Sequence, residues 1–205
     1  MGLTLHYSAR LRRPGLLPAL NEEIADICQS LKWPCQMCDE VFEVEAQYVP
    51  DEPGEGPVKA VRLQGVFFTP PECETFSLTF TPTGRLSSAM NLMAADIFSD
   101  PEWVYHVHVK TQFAGPDVHI ALVKLLRYLE NKYLDAVEVT DEGDYWETED
   151  RARLEKNFAT LTHFINVVGD ALENYRGPMP EDGSPRSLAD LIEKILREKL
   201  GRAGI

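Results

Sequence analysis

The chain has 205 residues, with 33 Asp or Glu against 20 Lys or Arg and a formal net charge of -13. This excess of negative charge argues against binding to nucleic acid or to an anionic membrane surface, because each phosphate contact needs a Lys or Arg. No stretch approaches the roughly 18 uninterrupted apolar residues of a membrane span, and the start lacks the apolar core of a secretion signal, so we expect a cytoplasmic protein.

Apolar spacing predicts the elements of the first part of the chain. Strict alternation over residues 3–11 is typical of a half-buried strand, and spacings of three and four over residues 17–31 indicate an amphipathic helix. A second strand is predicted over residues 42–48, and the segment PDEPGEGP ends it. The return through VRLQGVFF and the alternation in FSLTFT predict two more strands.

The middle of the chain predicts a strand, a helix and a further strand. LSSAMNLMAADIF has the composition of one helix, and SDPEW that of a turn. Alternation resumes over residues 105–113. Gly115, Pro116 and Asp117 then supply a cap, a first-turn proline and a first-turn acid, so a helix is expected to begin there. DAVEVTD predicts a short strand, and EGDYWE a loop.

The C-terminal part predicts a long helix, a linker and a short helix. Thr148 is the expected cap of the long helix, whose apolar residues from Leu154 to Tyr175 follow a heptad spacing. We expect a neighbouring helix of the same chain to cover this seam, with a seam between two chains as the alternative. Ser187 begins a last amphipathic helix. Because so short a helix must be buried somewhere, we expect a two-fold homodimer in which it takes part.

Together these elements predict an α+β fold: a mostly antiparallel sheet with helices packed on one face, in the order β-α-β-β-β-(α)-β-α-β-α-α. We expect residues 1–175 to form a single α+β domain. Residues 176–186 are predicted to be a Pro/Gly linker. Residues 187–205 are predicted to hold the C-terminal helix.

Three histidines within YHVHVKTQFAGPDVHI raise the question of a metal site. His106 and His108 share the polar face of the predicted strand, whereas His119 lies on the next helix, which covers the other face. The three rings are therefore not expected to converge. Cys35 and Cys38 form a CxxC without the second pair that marks a zinc site. We expect reduced thiols, no metal and no cofactor.

The polar faces of the predicted strands gather cationic and neutral hydrogen-bond donors on an otherwise acidic molecule. The candidate binding residues there are His6, Arg10, Arg62, His106, His108 and Lys110. Such a set suits an anionic ligand or an acidic protein surface. The alternative is an ordinary sheet face exposed to water.

Acidic residues concentrate in two segments that contain no Lys or Arg. Residues 39–56 hold seven acids, and residues 135–150 hold eight. Within DEGDYWETED the candidate contacts for a basic partner are Asp141, Glu142, Asp144, Tyr145 and Trp146. The alternative is that Trp146 packs under the start of the long helix, with the acids complementing the helix dipole.

The function that this pattern favours is a binding or interaction protein, in the manner of an inhibitor or immunity protein that meets a basic protein partner through acidic loops. The alternative is an enzyme. HYS at residues 6–8 and HVH at residues 106–108 resemble the layout of two-histidine phosphoesterases. That resemblance implies a small hydrolase or phosphoesterase using His6, His106 and His108. Those enzymes carry Ser or Thr two positions after each His, and Lys110 stands there after His108.

Overall fold

The computed structural model describes residues 3–175 and 184–200. The chain separates into two compact units, Met1–Phe158 and Ala159–Ile205. Both helices and antiparallel sheets are present, which confirms the α+β class. Most of the predicted linker lies outside the described residues, and the predicted domain boundaries stay a prediction.

Most elements lie where the sequence predicts them. The strands are β1 (Thr4–Leu11), β2 (Cys35–Glu45), β3 (Val58–Phe68), β4 (Phe76–Phe80), β5 (Leu86–Ser87), β6 (Val107–Lys110) and β7 (Leu134–Asp141). The helices are α1 (Leu17–Leu31), α2 (Ala89–Met93), α3 (Gly115–Lys132), α4 (Tyr145–Thr148), α5 (Arg151–Glu173) and α6 (Pro185–Leu200). Short 3-10 turns at Pro14–Leu16, Ala95–Ile97 and Pro101–Tyr105 complete the described structure.

The strands divide between two antiparallel sheets. One has the order β6-β1-β7 and the other the order β2-β3-β4-β5. The sheets meet where Arg10 forms an isolated bridge with Arg85 and where the Leu11 amide donates to the Gly84 carbonyl over 2.8 Å. The polar residues of β1 and β6 therefore lie on a different sheet from those of β2 and β3.

The three-stranded sheet buries its apolar face as its alternation predicts. Leu5, Tyr7, Val107 and Val109 are all buried. The same alternation predicts that Phe113 is buried, but 64% of it is exposed. β6 ends at Lys110, and the Ala114 amide donates to the Thr111 carbonyl over 2.9 Å in a turn that enters α3. Alternation therefore no longer applies at Phe113.

The segment from residue 88 to residue 106 covers one end of the four-stranded sheet. Its Leu92 and Val104 pack in a buried cluster with Val61 and Leu63 of β3. The segment forms α2 and two 3-10 turns instead of the single predicted helix. The buried amide of Asn91 explains the difference, because it donates to the carbonyls of Val104 (3.1 Å) and His106 (2.8 Å) and folds the segment back on itself.

Gly65 lies at the centre of the four-stranded sheet, paired with Cys38 on β2 and Thr79 on β4. Its φ is +150°, and a Cβ atom built on it would lie 2.2 Å from the Leu78 carbonyl oxygen. Backbones approach so closely here that only a glycine fits. The sequence shows this residue only as an isolated glycine within a strand pattern.

α6 begins at Pro185, two residues before the predicted start. The Ser187 amide donates to Ser184 Oγ over 3.2 Å, so Ser184 caps this helix. Proline is well suited to the first helical position, where its missing N–H costs nothing. The cap therefore lies at Ser184, and Ser187 belongs to the first turn.

Candidate functional site

His6 and His108 lie side by side on the polar face of the three-stranded sheet. They are cross-strand partners on β1 and β6, both exposed, with ring centroids 5.9 Å apart. Together with Lys110, Glu74 and Glu142 they line a shallow depression of about 520 Å³. The two carboxylates also accept hydrogen bonds from the backbone. Glu142 accepts from the Thr4 amide (2.9 Å) and Glu74 from the Lys110 amide (2.8 Å).

His106 and Arg10 line a second depression of about 300 Å³. His106 precedes β6, where its Nδ1 lies 2.9 Å from the Glu102 carbonyl and its ring lies 5.0 Å from that of Trp103. The neighbouring Arg85 is held by two hydrogen bonds that its guanidinium donates to the Glu102 carboxylate. The structure therefore places His106 in a different depression from His6 and His108.

Arg62 belongs to the four-stranded sheet. Its Nε and Nη2 donate to the two carboxylate oxygens of Asp39 over 2.7 and 2.8 Å. The hydrogen bonds from Arg62 hold the pKa of Asp39 below its usual range. Arg62 thus links β3 to β2 through Asp39, and it lies apart from the cationic residues of β1 and β6.

His119 is fully buried inside the molecule, away from the other two histidines of its stretch. Its Nδ1 lies 2.8 Å from Thr111 Oγ1, and its Nε2 lies 3.1 Å from Asp141 Oδ2. The prediction that the three rings do not converge is confirmed. Among the residues that the structure describes, no group of three or more His, Cys, Asp or Glu side chains is arranged to hold a metal ion.

Thr111, His119 and Asp141 have the order of side chains found in a hydroxyl-imidazole-carboxylate triad. The side chains of His119 and Asp141 have no exposed surface, and Thr111 Oγ1 is also 3.0 Å from the Leu3 carbonyl. A catalytic nucleophile must be reachable by its substrate. This network therefore holds β1, α3 and β7 together and does not form an active site.

Asp141 is the centre of the network. Its carboxylate accepts from the amides of Gly143 (2.7 Å) and Trp146 (2.8 Å) as well as facing His119. Burial alone would raise the pKa of Asp141, but the hydrogen bond and charge of His119 and these two amides outweigh burial and lower it. The ionised carboxylate thus fixes the turn between β7 and α4.

Several other residues of the second acidic segment also contact their own chain. Tyr145 is buried, and the Arg127 guanidinium lies 4.2 Å from the centre of the Trp146 ring. Asp144 forms an ion pair with Arg153 at 2.6 Å. These contacts favour the reading in which the segment supports the start of α5, and they leave fewer acids for a partner.

The cap of α5 is Asp150, where the sequence predicts Thr148. Asp150 Oδ1 accepts from the Arg153 amide over 3.1 Å. Thr148 ends α4, and its hydroxyl donates to the Asp144 carbonyl over 2.6 Å. Glu149, between Thr148 and Asp150, takes a left-handed conformation with φ 52°, so α4 ends before α5 begins. An Asp at the cap satisfies the same amides that Thr was expected to satisfy.

The CxxC cysteines do not face each other. Cys38 is buried, with its Sγ 3.6 Å from the Leu63 carbonyl. Cys35 instead lies beside Cys28 at the end of α1. Burial, with a further contribution from Cys35, raises the pKa of Cys28 to about 12, which keeps this thiol protonated and unreactive.

The first acidic segment includes a feature that the sequence reading missed. β2 begins at Cys35, seven residues before the predicted strand, and it forms one border of the four-stranded sheet. Its solvent face carries acids together with exposed apolar residues. Along that face lie Met37, Asp39, Val41, Glu43 and Glu45. Alternation of buried Cys38 and Val44 with polar neighbours is the signal that could have extended the strand.

Comparison with protein-family models, with characterised proteins and with solved structures found no match. Across residues 3–175 and 184–200, no helix combines the length and the apolar character needed to cross a membrane.

Proposed function

We propose that the chain is an interaction protein that binds an extended basic segment of a partner protein along the outer edge of β2. The observation that carries this proposal is an eleven-residue border strand flanked by acidic side chains. Strand addition to an exposed sheet edge is a common mode of peptide recognition. An inhibitor or immunity-like role, in which the acidic edge occludes a basic surface, follows from the same geometry.

The backbone of β2 supports this mode of binding. The Thr69 amide donates to the Pro34 carbonyl (2.9 Å) and the Ala46 amide to the Pro57 carbonyl (2.8 Å). Antiparallel hydrogen bonding alternates along a strand, so the even-numbered residues of β2 bond to β3. The odd-numbered residues therefore direct their amides and carbonyls away from the sheet, where an added strand can bond to them.

The acidic side chains beside the β2 edge favour a basic segment as the added strand. Glu43 and Glu45 lie exposed on the solvent face of the edge, and Glu40 lies exposed on the opposite face. Asp39 is already paired with Arg62. Carboxylates on both faces attract Lys and Arg side chains of an added strand. They also repel a second copy of the same edge, because charged edge strands resist pairing with each other.

A peptide of about ten alternating Lys and Thr residues, the length of a long strand, tests the proposal. We expect it to bind the full chain and to weaken steeply between about 50 and 200 mM NaCl. E43K/E45K is expected to weaken binding by about tenfold or more, as measured by fluorescence anisotropy. E22K/D26K, on exposed positions of α1, changes the net charge equally and serves as the matched control.

If E43K/E45K and E22K/D26K weaken peptide binding equally, the peptide is attracted to the overall negative charge of the protein and not to a site on β2. The strand mode has its own readout. A peptide methylated on alternate backbone nitrogens loses the donors that face one side. One of the two methylation registers is therefore expected to abolish binding, and full binding by both would contradict strand addition.

We also propose that the protein forms a homodimer through α6. This helix has 16 residues, close to the length at which isolated helices are marginal in water. Its apolar stripe must therefore be covered, and the chain between Tyr175 and Ser184 can reach at most roughly 30 Å. We expect light scattering to give twice 23.1 kDa for the full chain. A chain ending at Tyr175 is expected to be monomeric, and a monomeric full chain would contradict the proposal.

A hydrolase acting through His6 and His108 is the second candidate function. The observation that favours it is the adjacent pair of exposed imidazoles in one depression with Lys110. If the pair supplies acid-base catalysis, H6A/H108A lowers the rate of p-nitrophenyl phosphate hydrolysis by about a hundredfold. H163A, which removes an exposed histidine from α5, is the control. Equal rates in all three proteins would exclude the pair from catalysis.

A further inference from the structure

A groove of about 490 Å³ opens on the face of the four-stranded sheet opposite Glu43 and Glu45. Phe67 of β3 forms part of its floor, and Met90 and Met93 of α2 form one wall. Its volume is in the range of known ligand pockets, which are mostly apolar with a few polar groups. Displacing water from such a surface is favourable.

The wall of this groove combines a fixed backbone with adaptable side chains. Met90 and Met93 are 67% and 63% exposed. Asn91 between them is buried and anchors α2 through its bonds to Val104 and His106. Methionine side chains are flexible and polarisable, and they are frequent at surfaces that accept varied apolar groups.

The groove extends to β2, the border strand of the sheet. Cys38 and Glu40, which line it, are even-numbered residues of β2 and point to this face of the sheet. An added strand directs every second side chain to the same face. One of those side chains would stand beside Glu40, which lines the groove. Glu40 and Glu74 place two carboxylates on its lining, which favours a segment with neighbouring Lys or Arg.

We propose that the groove receives an apolar side chain of the added strand. The partner segment therefore alternates basic residues, which face Glu43 and Glu45, with apolar residues, which face the groove. This inference rests on the proposed function, because it assumes strand addition at β2. It identifies the partner as a strand with basic residues on the face of Glu43 and Glu45 and at least one apolar residue on the face of the groove.

Two peptides of about ten residues test this inference: one alternates Lys and Val, the other Lys and Thr. Valine and threonine share β-branching and size, so the pair differs in polarity and not in charge. We expect the Lys/Val peptide to bind the full chain at least about tenfold more tightly. M90Q/M93Q is expected to reduce that ratio below about threefold, with little effect on the Lys/Thr peptide.

M37Q is the matched control, because Met37 is 57% exposed on the solvent face of β2. It should leave the preference for valine unchanged. Equal binding of both peptides to the unmodified chain would overturn the groove inference, and the proposed function would stand if E43K/E45K still weakened both. A valine preference lost in M37Q and kept in M90Q/M93Q would also overturn it. Binding of neither peptide would overturn both proposals.

Discussion

Replacement of Asp141 by alanine is expected to lower the free energy of unfolding by about 3–5 kcal/mol, because it removes the acceptor of three hydrogen bonds and each unsatisfied buried donor costs about 1–3 kcal/mol. His119 would lose the carboxylate at 3.1 Å, and the amides of Gly143 and Trp146 would lose their acceptor. Urea denaturation followed by circular dichroism measures the change. A loss below about 1 kcal/mol would contradict a structural role for the network.

Asp144 provides the control for that variant. Its ion pair with Arg153 is exposed on both sides, so D144A is expected to cost less than about 1 kcal/mol. The pH dependence of the free energy of unfolding is a second test of the role of Asp141. Because the folded pKa of Asp141 is lowered, its contribution is present above the unfolded value of about 3.9 and is lost as the pH falls through the folded pKa. The stability gap between wild type and D141A should therefore narrow below about pH 4.

Replacement of Gly65 by alanine is expected to cost about 3 kcal/mol or more. The added Cβ would lie 2.2 Å from the Leu78 carbonyl oxygen and 2.8 Å from Thr79 Cα, and both are backbone atoms that cannot rotate away. The positive φ adds strain for any L side chain, and overpacking alone costs about 1–3 kcal/mol.

The melting temperature and the urea midpoint measure this effect. G15A is the control, since nothing lies within 4 Å of a Cβ built on Gly15. We expect G15A to change stability by no more than about 0.5 kcal/mol. If G65A has the same melting temperature as the wild type, the backbones of β3 and β4 do not lie close enough together to exclude a Cβ atom at residue 65.

Local patterns were sufficient for the elements whose residues bury one face. α1 occupies Leu17–Leu31 as predicted, because its apolar spacing and the following Trp33-Pro34 define both ends. β4 likewise lies at FSLTF as predicted, although Thr79 on its polar face is buried as well. The α+β class follows from such elements alone, since their type and order are local properties.

The division into two sheets could not be predicted in the same way. Alternation identifies which residues share a face, but it contains no information about which strand lies alongside. β1 pairs with β6 and β7 from the far end of the chain, and β2 to β5 pair among themselves. The candidate set that joined Arg62 to His6 and His108 was therefore split between two sheets.

A segment that is purely acidic in the sequence can also have cations next to it in the folded structure. Residues 39–56 contain no Lys or Arg, yet the Lys59 ammonium lies buried beneath them and donates to the carbonyls of Val49, Pro50 and Glu52. Arg62 neutralises Asp39 from the next strand. Sequence reasoning located the acidic segments but not the cations that fold against them.

The pairing of β1 has a consequence for the order of events during synthesis. β1 leaves the ribosome first, but its neighbours β6 and β7 follow only after the whole four-stranded sheet has been made. β2, β3 and β4 follow one another along the chain and can pair early, whereas pairings between distant segments form slowly. β1 must wait as an unpaired apolar strand, so this period is when the nascent chain is most prone to aggregate.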